Sequence, residues 1–540
     1  MHPPELLAHE PAPAPAPRGA PRPWWEGRPF VAAMVVLAMV PLLYPPFPPL
    51  VDLPGHMGRF AVAFELAASP TLQQWFGYHW TPIGNLGVDL IVNLLAPLFG
   101  IELATKLVVL LIPPLAVAGM LWVAREVNNR LPPTVAFALP LAFAHPFLFG
   151  FVNFALSMSF ALLGFGLWLR LGRLGKIKLR AALAVPISIV VFFTHAFGWG
   201  TLGVLCFSAE AVRQHDRGKS WWRAALRAAW HASALALPLL AMVLWRTEAQ
   251  GGHTLGWFAW QHKGEYLLRI FRDRWRWWDI ASAGIVYGVP LAAIAHPKLT
   301  LSRNLAFSAL VLALCFVLLP RVLFGSAYAD MRIVPYFAAI LILAVRFRFD
   351  TDPRLARAIA VAGVAFLLIR TATVTASLAI AANHQREQLA ALNYVPDGAR
   401  VAAMVWSPCR SWELRRSDHL PSMVIVRRHG FSNDQWPLVG ASLLTVNYRP
   451  ARLFAMDPSQ IVRDEGCRNE GRPIAEAFRL LPAAAFDYLW LLDVPAVPTG
   501  LTTGWQPVFV APGSILFRRI GAGGAESRPA TPQPAMGFAR

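Results

Sequence analysis

The sequence predicts an α-helical polytopic membrane protein with a small soluble α/β domain at its C-terminal end. Only 15% of its 540 residues are charged, whereas roughly 25% are charged in soluble globular proteins. Apolar runs long enough to cross a bilayer as helices recur between residues 29 and 381 and do not return afterwards. Residues 382–520 instead have the mixed composition of an ordinary water-soluble domain.

The two ends of the chain are predicted to lie outside any packed core. Residues 1–28 are rich in Pro and Ala and bury too little apolar surface to fold, so we expect them to be disordered. The apolar run that follows has no small-residue cleavage site, and we interpret it as a retained signal anchor. Residues 521–540 are predicted to be a disordered tail.

The membrane domain, residues 29–381, is predicted to cross the bilayer about eleven times. Its candidate spans are residues 29–45, 103–124, 133–149, 151–170, 181–196, 197–212, 224–245, 279–296, 303–320, 333–347 and 356–380. One further apolar stretch, Leu86–Phe99, is shorter than a regular span and contains Asn93 and Pro97. Whether this stretch crosses decides on which side of the membrane every later loop lies.

The basic residues of the loops settle this choice. If Leu86–Phe99 does not cross, the N-terminus and one set of short loops carry much of the Lys and Arg, whereas turns 145–153 and 194–200 carry none. Basic short loops stay in the cytoplasm. We therefore predict a cytoplasmic N-terminus, a first outer loop over residues 46–102 and an extracytoplasmic C-terminal domain over residues 382–520. Much of the net charge of +19 therefore comes from residues that orient the protein in the membrane. We reject nucleic-acid binding as its explanation.

Two outer loops, residues 246–278 and 321–332, are basic and so oppose this orientation rule. One explanation is an anionic ligand at the outer face. The other is that Tyr266–Trp278 forms an interfacial helix, with its tryptophans at headgroup depth and its arginines extended towards water. The arginines in question include Arg269, Arg272 and Arg332.

The C-terminal domain alternates short apolar runs, typical of strands, with turn signals. These runs are Val401–Trp406, Met423–Val426, Tyr488–Leu492, Val508–Val510 and Ser514–Phe517. A helix is predicted at Ile474–Leu481, so the domain is expected to be α/β. Cys409 and Cys467 both lie in this domain, and an oxidising outer compartment favours a disulfide between them over two unpaired buried thiols.

Candidate chemistry follows the first span directly. Asp52 precedes a predicted helix on which His56 and Arg59 lie three residues apart, so that all three share one turn at the membrane surface. A carboxylate there can deprotonate an acceptor hydroxyl or hold a divalent cation such as Mg²⁺ or Mn²⁺. Arginine and histidine suit a phosphate group. The alternative is that Asp52 merely caps the helix and that the other two residues are interfacial.

The other outer turns also present polar side chains, and ionisable groups near a bilayer tend to mark function. They include His145, Asn153, His195, Asp330 and Arg332. The chain contains no P-loop, no Gly-rich dinucleotide fingerprint, no HExxH and no CxxC. Their absence argues against nucleotide-driven pumps and against metalloenzymes of the soluble type.

In layout the chain resembles the GT-C superfamily of membrane glycosyltransferases, particularly the bacterial enzymes related to protein mannosyltransferases and the aminoarabinose transferases of lipid A. By position in the first outer loop, Asp52 corresponds to the catalytic or metal-associated acid of that superfamily. The turn His145–Asn153 falls in the second outer loop, where many members place further polar residues. At the start of this loop the sequence has a single acid, Asp52, rather than an acidic pair, and it lacks the later Lys-Pro motif.

The resemblance implies an inverting transfer of a sugar from a polyprenyl-phosphate donor to a lipid, glycan or protein acceptor, at the outer face of the bacterial cytoplasmic membrane. Asp52 and His56 would be the catalytic candidates, with Asp52 as general base or metal ligand. The candidates for binding substrate or phosphate would be Arg59, His145, Asn153, His195, Arg269, Arg272, Asp330 and Arg332.

Other functions remain open from the sequence alone. A lipid-linked glycan flippase or a transporter would place its binding groups near the middle of the membrane and often shows inverted repeats. The polar groups of this chain gather at one face, and no internal repeat is evident. A glycan polymerase or ligase fits the sequence nearly as well as a monosaccharide transferase does. A sensing domain on an inert anchor would not need so many spans.

The orientation yields a direct test at Arg173, which lies in a loop predicted to be cytoplasmic. In intact cells, an Arg173→Cys variant is expected to be shielded from a thiol reagent that cannot cross the membrane. The same cysteine should react once the membrane is permeabilised, which serves as the control. Labelling in intact cells would overturn the predicted topology.

Overall fold

The computed structural model describes residues 22–244, 253–348, 350–438, 442–467, 470–495, 497 and 500–521. The predicted disordered tail beyond Gly521 and most of the predicted disordered N-terminus lie outside these residues. The described part of that N-terminus has structure, because Trp24–Glu26 forms a 3-10 turn in which Trp25 is buried.

The membrane part is a bundle of helices, and its first predicted span is divided into two shorter helices. Its helices are α1 (Arg28–Leu37), α2 (Val40–Leu43), α3 (Leu53–Glu65), α4 (Pro70–Gln73), α5 (Gly87–Asn128), α6 (His145–Phe149), α7 (Val152–Arg173), α8 (Ile177–Thr194), α9 (Ala196–Asp216), α10 (Trp221–Ala232), α11 (Leu237–Leu244), α12 (Trp260–Leu268), α13 (Arg276–Ala295), α14 (Arg303–Leu318), α15 (Val334–Leu343) and α16 (Pro353–Leu389). Three short strands accompany them, namely β1 (Phe76–Tyr78), β2 (Leu299–Leu301) and β3 (Val345–Phe347).

The C-terminal domain is built on one mixed sheet, flanked by α17 (Met423–Arg428) and α18 (Ile474–Leu480). Its strands are β4 (Arg400–Trp406), β5 (Phe431–Ser432), β6 (Leu444–Val446), β7 (Ile461–Arg463), β8 (Arg472–Pro473), β9 (Tyr488–Leu492), β10 (Trp505–Ala511) and β11 (Ser514–Arg519). The sheet has the order β10-β11-β9-β4-β7-β8, and β5 also pairs with β4. Strand β6 pairs outside this sheet, antiparallel to β1 of the first outer loop.

Within the described residues, five helices are long and apolar enough to cross a membrane, by length and composition. They are Gly87–Asn128, Val152–Arg173, Ile177–Thr194, Arg276–Ala295 and Pro353–Tyr394, and shorter apolar helices cover Arg28–Leu43, Val135–Phe149, Arg303–Leu318 and Met331–Leu343. Together with the C-terminal sheet, these helices confirm the predicted fold class. The number of crossings stays a prediction.

Two predicted helices have a different form. Residues 133–149 form two 3-10 segments and the short α6 rather than a regular span, because Pro140 and Pro146 interrupt the backbone hydrogen bonds. The hypothesis of one interfacial helix over Tyr266–Trp278 is wrong, since α12 ends at Leu268 and α13 begins only at Arg276.

The disputed stretch Leu86–Phe99 begins and ends at the same end of the bundle. It opens α5, and a break at Gly100 (φ 70°, ψ 167°) separates it from the rest of that helix. At its start, the Leu86 amide donates to the carbonyl oxygen of Phe193. Just after its end, Glu102 forms an ion pair with Arg427 of the C-terminal domain, at 2.7 Å. The stretch therefore does not traverse the bundle in this structure.

Small residues allow the central helices to approach one another closely, as is common where helices pack in membranes. A Cβ on Gly119 of α5 would lie 2.7 Å from the Cβ of Leu162 in α7. A Cβ on Gly198 of α9 would lie 2.7 Å from the Cβ of Ser157, also in α7. Helices α5, α7 and α9 thus form a tight core whose ends position the polar turns.

In the C-terminal domain, four of the predicted strands lie within β4, β9, β10 and β11, and the predicted helix matches α18. The strand expected at Met423–Val426 is wrong, because these residues form α17, whose apolar side chains are buried. Cys409 and Cys467 are joined as a disulfide, with their Cα atoms 5.4 Å apart. Helix α16 continues past the predicted domain boundary at Ala381 and docks its last turns on this domain through Gln385 and Gln388.

The close approach at Gly198 predicts a loss of stability on adding a single methyl group. Gly198→Ala should lower the thermal unfolding midpoint of the purified protein, because overpacking of a tight contact costs about 1–3 kcal/mol. Gly203→Ala in the same helix is the matched control, since a Cβ there meets nothing within 4 Å. Equal midpoints for the two variants would contradict the packing described.

Candidate functional site

Asp52 lies where the membrane bundle meets the C-terminal domain. Its amide donates to the carbonyl oxygen of Phe149 at 2.9 Å, which fixes the start of α3 against the end of α6. The next residue, Gly150, has φ +107°, and a Cβ there would lie 2.7 Å from the Asp52 nitrogen. Although Asp52 is the N-cap residue of α3, its side chain makes no capping hydrogen bond. The carboxylate is therefore left available for another role.

The C-terminal domain covers Asp52 with two side chains. Nε2 of His419 lies 4.0 Å from Oδ1 of Asp52, and both side chains are nearly buried, at 11% and 13% exposure. The ring of Trp436 packs on Gly55, where a Cβ would overlap it. The same ring lies 5.3 Å from His56 and 4.2 Å from His419, measured between ring centroids. Asp52 thus lies at the boundary between the two domains.

Burial raises the pKa of Asp52 to about 7. Among nearby charges, His419 and Arg332 lower this pKa, whereas the carboxylates of Asp457 and Asp418 raise it. A carboxyl group with a pKa near the working pH is suited to general acid–base chemistry, because both of its protonation states are populated.

A hydrogen-bond network fixes the orientation of His419. Its Nδ1 lies 3.0 Å from the carbonyl oxygen of Asp434, so Nδ1 carries the proton and Nε2 faces Asp52. The Asp434 carboxylate in turn accepts hydrogen bonds from the amide and hydroxyl of Ser422 and from the hydroxyl of Ser432. Burial lowers the pKa of His419, but four carboxylates outweigh it and hold this pKa above its ordinary value. They belong to Asp457, Asp52, Asp434 and Asp418.

His56 follows Asp52 by one turn of α3 and is held in a neutral form. Burial lowers its pKa well below the ordinary value, and the positive charges of Arg59 and His419 lower it further. Its ring lies between Phe60 and Trp436. A neutral imidazole in this place can donate or accept a hydrogen bond with a substrate, but it carries no charge.

Arg332 is buried on the bundle side of the site in a cage of aromatic rings. Its guanidinium lies 4.3 Å from the ring centroid of Phe151 and also contacts Phe154 and Phe197. It forms no ion pair within 4.0 Å among the residues that the structure describes, and its Nε has no hydrogen-bond partner there. Asp52 is the carboxylate that acts on its charge.

Arg332 and His195 face one another as two donors. Nδ1 of His195 accepts a hydrogen bond from the Phe197 amide at 3.1 Å, so the proton of the neutral ring lies on Nε2. That Nε2 is 3.5 Å from Nη1 of Arg332. An oxygen atom that accepts from both groups would satisfy this pair, as a phosphate oxygen does.

Arg59 and Asn153, by contrast, are committed to a buried partner. Arg59 forms a bidentate ion pair with Asp89, with distances of 2.9 and 3.0 Å. The Asn153 amide nitrogen donates to the same carboxylate at 2.8 Å, while its oxygen accepts from the Val88 amide. The two predicted residues therefore meet, but at Asp89 rather than at Asp52.

Asp330 and His145 also lie at this end of the bundle. Asp330 is fully buried and pairs with Lys263 at 2.9 Å, and its other oxygen accepts from the Met331 amide. The ring of His145 is buried against Phe149, and neither of its nitrogens has a partner among the described residues.

The arginines of the 246–278 loop have protein partners. Arg269 pairs with Glu265 at 3.2 Å, and Arg272 donates to the carbonyl oxygens of Trp412 and Ser411. Arg272 therefore attaches the bundle to the C-terminal domain, whereas Arg269 has its partner within α12, and neither arginine needs a ligand to be paired. Arg246 lies outside the described residues.

The residues around Asp52 do not form an evident cation site. Among the described residues, the side chains whose ligand atoms gather closely enough for a metal are Cys409, Asp464 and Cys467, and two of these are joined as a disulfide. Asp52 faces His419 instead of further carboxylates at bonding distance. A metal role for Asp52 stays a prediction, and no step below depends on it.

The residues around Asp52 that sequence reasoning missed come from the C-terminal domain. They are His419 and Trp436 at the site, with Asp418, Asp434 and Asp457 around them. One signal was present, since Ser432–Gln435 is a run of four polar residues that the structure buries completely. Such a run marks a hydrogen-bonded network, but nothing in it indicates contact with residue 52.

Comparison with solved structures finds crystal structures with a similar architecture. The chain resembles ArnT from Cupriavidus metallidurans, in a crystal structure bound to undecaprenyl phosphate, with a TM-score of 0.50 and 11% identity over 93% of this chain and 98% of ArnT. The apo crystal structure of the same ArnT gives a TM-score of 0.48, with 12% identity over 90% and 96% of the two chains. No protein-family model and no curated protein matches the sequence. At this identity the likeness shows the fold, and it confirms the predicted resemblance at that level.

The raised pKa of Asp52 predicts a pH-dependent effect of neutralising it. Because its pKa is about 7 in the folded chain against an ordinary 3.8, this group's contribution to stability is lost as the pH rises towards 7. Asp52→Asn does not titrate, so its thermal midpoint relative to the parent should increase from about pH 5 to about pH 8. Asp397→Asn is the control, since that side chain is 71% exposed. A difference independent of pH would contradict the assignment.

Proposed function

We propose that this chain, which has the fold of ArnT, is a membrane glycosyltransferase that moves a sugar from a polyprenyl-phosphate donor to an acceptor at the outer face of the bacterial cytoplasmic membrane. The acceptor is a lipid, a glycan or a protein. The observation that carries the proposal is that two buried groups of opposite charge interact at this site without forming an ion pair. They are Asp52, a carboxyl group with a pKa of about 7, and Arg332, a guanidinium without a close ion pair.

Asp52 acts as the general base. In its ionised form it takes the proton from the acceptor hydroxyl while the acceptor oxygen bonds to the anomeric carbon of the sugar. The bond between that carbon and the phosphate oxygen breaks, and its electron pair leaves with the polyprenyl phosphate. Attack opposite the leaving group inverts the anomeric centre. His419 faces Asp52 through Nε2 and receives or returns the proton between turnovers.

The leaving phosphate gains negative charge as the bond breaks, and fixed cations lower the barrier to this step. Arg332 and His195 provide two donors aimed at one point, 3.5 Å apart and without an acceptor between them. The aromatic cage of Phe151, Phe154 and Phe197 excludes water, which strengthens the interaction with the phosphate.

The lipid tail of the donor needs an apolar surface beside the site. The first part of α5 supplies one, because Leu90, Leu94 and Leu98 lie four residues apart on one face and are exposed, Leu94 to 76%. The opposite face of the same segment carries Asp89, which is buried with Arg59. The segment therefore separates a polar interior from a surface that suits a prenyl chain.

The placement of the buried charged residues supports catalysis at a membrane surface better than transport of a substrate across the membrane. The buried ion pairs Arg59–Asp89 and Lys263–Asp330 both lie at the end of the bundle that carries the C-terminal domain. A transporter or flippase would instead be expected to place its binding groups near the middle of the membrane.

The proposal is tested by comparing lipid-linked sugars and outer glycans from a deletion strain complemented with different variants. The parent gene and Asp397→Ala, which changes an exposed acid, should restore the glycan profile. Asp52→Ala at normal expression should not, and the sugar should accumulate on the polyprenyl phosphate. Arg332→Gln should behave in the same way, because the leaving phosphate loses its cation. Full restoration by Asp52→Ala would show that Asp52 is not the base.

A further inference from the structure

A cavity of about 380 Å³ lies at the end of the bundle opposite Asp52. It opens between the last turns of α5, α7 and α9 and the first residues of α14. Helix α7 begins beside Asn153, which bonds to Asp89, and ends at this cavity after 22 residues, so roughly 30 Å separate the two places. The volume falls within the range of small-molecule sites, roughly 300–1,000 Å³.

The wall of this cavity carries an excess of positive charge. Six arginines line it, namely Arg173, Arg180, Arg213, Arg217, Arg303 and Arg346. Three carboxylates accompany them, from Glu126, Glu210 and Asp216. The arginines of the lining therefore outnumber its carboxylates.

The ion pairs within this wall do not neutralise all of its arginines. Glu126 pairs with Arg173 at 2.6 Å, and Asp216 pairs with Arg303 at 2.7 Å. Glu210 serves two guanidiniums, those of Arg180 at 2.7 Å and Arg213 at 3.5 Å. Arg217, at the rim, forms no ion pair with any carboxylate in the described part of the chain and so adds to the charge of the wall. Arg346 bonds to the oxygens of Asn128 and Val127.

Arg180 and Arg213 are turned into the bundle, whereas Arg173 and Arg217 are exposed. Arg180 is only 3% exposed, and its guanidinium lies 4.0 Å from the ring centroid of Trp168. Gly172 leaves room for two of them, since a Cβ there would lie 3.0 Å from Nη1 of Arg213 and 3.2 Å from Nη1 of Arg180. Membrane orientation requires basic residues on this side, but it does not require them to turn inwards.

Several polar atoms in this wall lack a hydrogen-bond partner among the described residues. They are Nη2 of Arg180, Nη1 of Arg213, Oγ of Ser302 and Oδ1 of Asn304. Buried polar groups in folded proteins are nearly always paired. A ligand that brings acceptor oxygens and negative charge would satisfy the three donors of this set and offset the excess charge together.

We propose that this cavity binds a phosphoryl group, either the headgroup of an anionic phospholipid or a free phosphate ester. Guanidinium groups bind phosphate through paired hydrogen bonds, and several of them around one cavity favour a doubly charged or bridging phosphate. The site is separate from Asp52, so its occupancy regulates or stabilises the bundle from the opposite face. The proposal does not depend on the sugar transfer proposed above.

The test uses the full-length protein in nanodiscs and measures the thermal unfolding midpoint. One arm adds sodium phosphate to nanodiscs of phosphatidylcholine at matched ionic strength, and the other replaces part of the phosphatidylcholine with phosphatidylglycerol. At least one arm should raise the midpoint in a saturable way. Arg217→Gln, at an exposed position on the rim, should raise the half-saturating concentration about tenfold, the loss of about one charged hydrogen-bonding partner. Arg213→Gln provides a second variant with the same expected effect.

The controls separate this cavity from other basic surfaces. Arg223→Gln removes a positive charge outside the cavity lining, in the first turn of α10, and should leave the response unchanged. Arg332→Gln separates this cavity from the Asp52 end, because a response that persists in this variant does not come from phosphate bound beside Arg332. A response to phosphate in solution identifies a soluble ester, and a response to phosphatidylglycerol alone identifies a lipid. No response in either arm, or an equal loss in Arg223→Gln, would overturn the proposal.

Discussion

The buried pair of Arg59 and Asp89 is the interaction on which the arrangement of the site depends. Its two hydrogen bonds join α3 to the first part of α5, and Asn153 attaches the same carboxylate to the start of α7. Removing one partner of such a pair leaves an uncompensated buried charge, at a cost of about 3–5 kcal/mol. Asp52 is the first residue before α3, so its position is set by this pair. Arg59 is therefore better understood as a support for Asp52 than as a ligand for phosphate.

The bundle half of the site could be predicted from sequence, because charges in short loops report the side on which each polar turn lies. Asp52, His195 and Arg332 belong to separate turns, and the structure places all three around one region. The sequence could not show which of the candidates were already paired. Arg59 forms an ion pair with Asp89, and Asp330 forms one with Lys263. In both pairs the two residues are close in space but far apart along the chain.

The other half of the site was beyond sequence reasoning for a physical reason. His419 and Trp436 reach Asp52 only because the C-terminal domain docks on the first outer loop, through contacts such as that of Gln435 with the Gly55 carbonyl oxygen. A helix or a strand produces a periodic pattern of apolar residues in the sequence, but the docking of two surfaces produces no such pattern. The two ends of the bundle also differ in charge. At the end that carries the C-terminal domain, the buried acids Asp89 and Asp330 each have one basic partner, whereas arginines predominate at the other end.

The pairing of β1 with β6 has a consequence for the order in which the molecule is made. Phe76 of the first outer loop is matched with Val446, which is synthesised long after the loop has left the ribosome. Until then the edge of β1 has no neighbour, and contacts between such distant residues form slowly. Strand β1 therefore stays unpaired while every later helix of the membrane part is inserted. A chain cut short before the last domain emerges carries Asp52 but lacks His419 and Trp436, the two side chains that cover it.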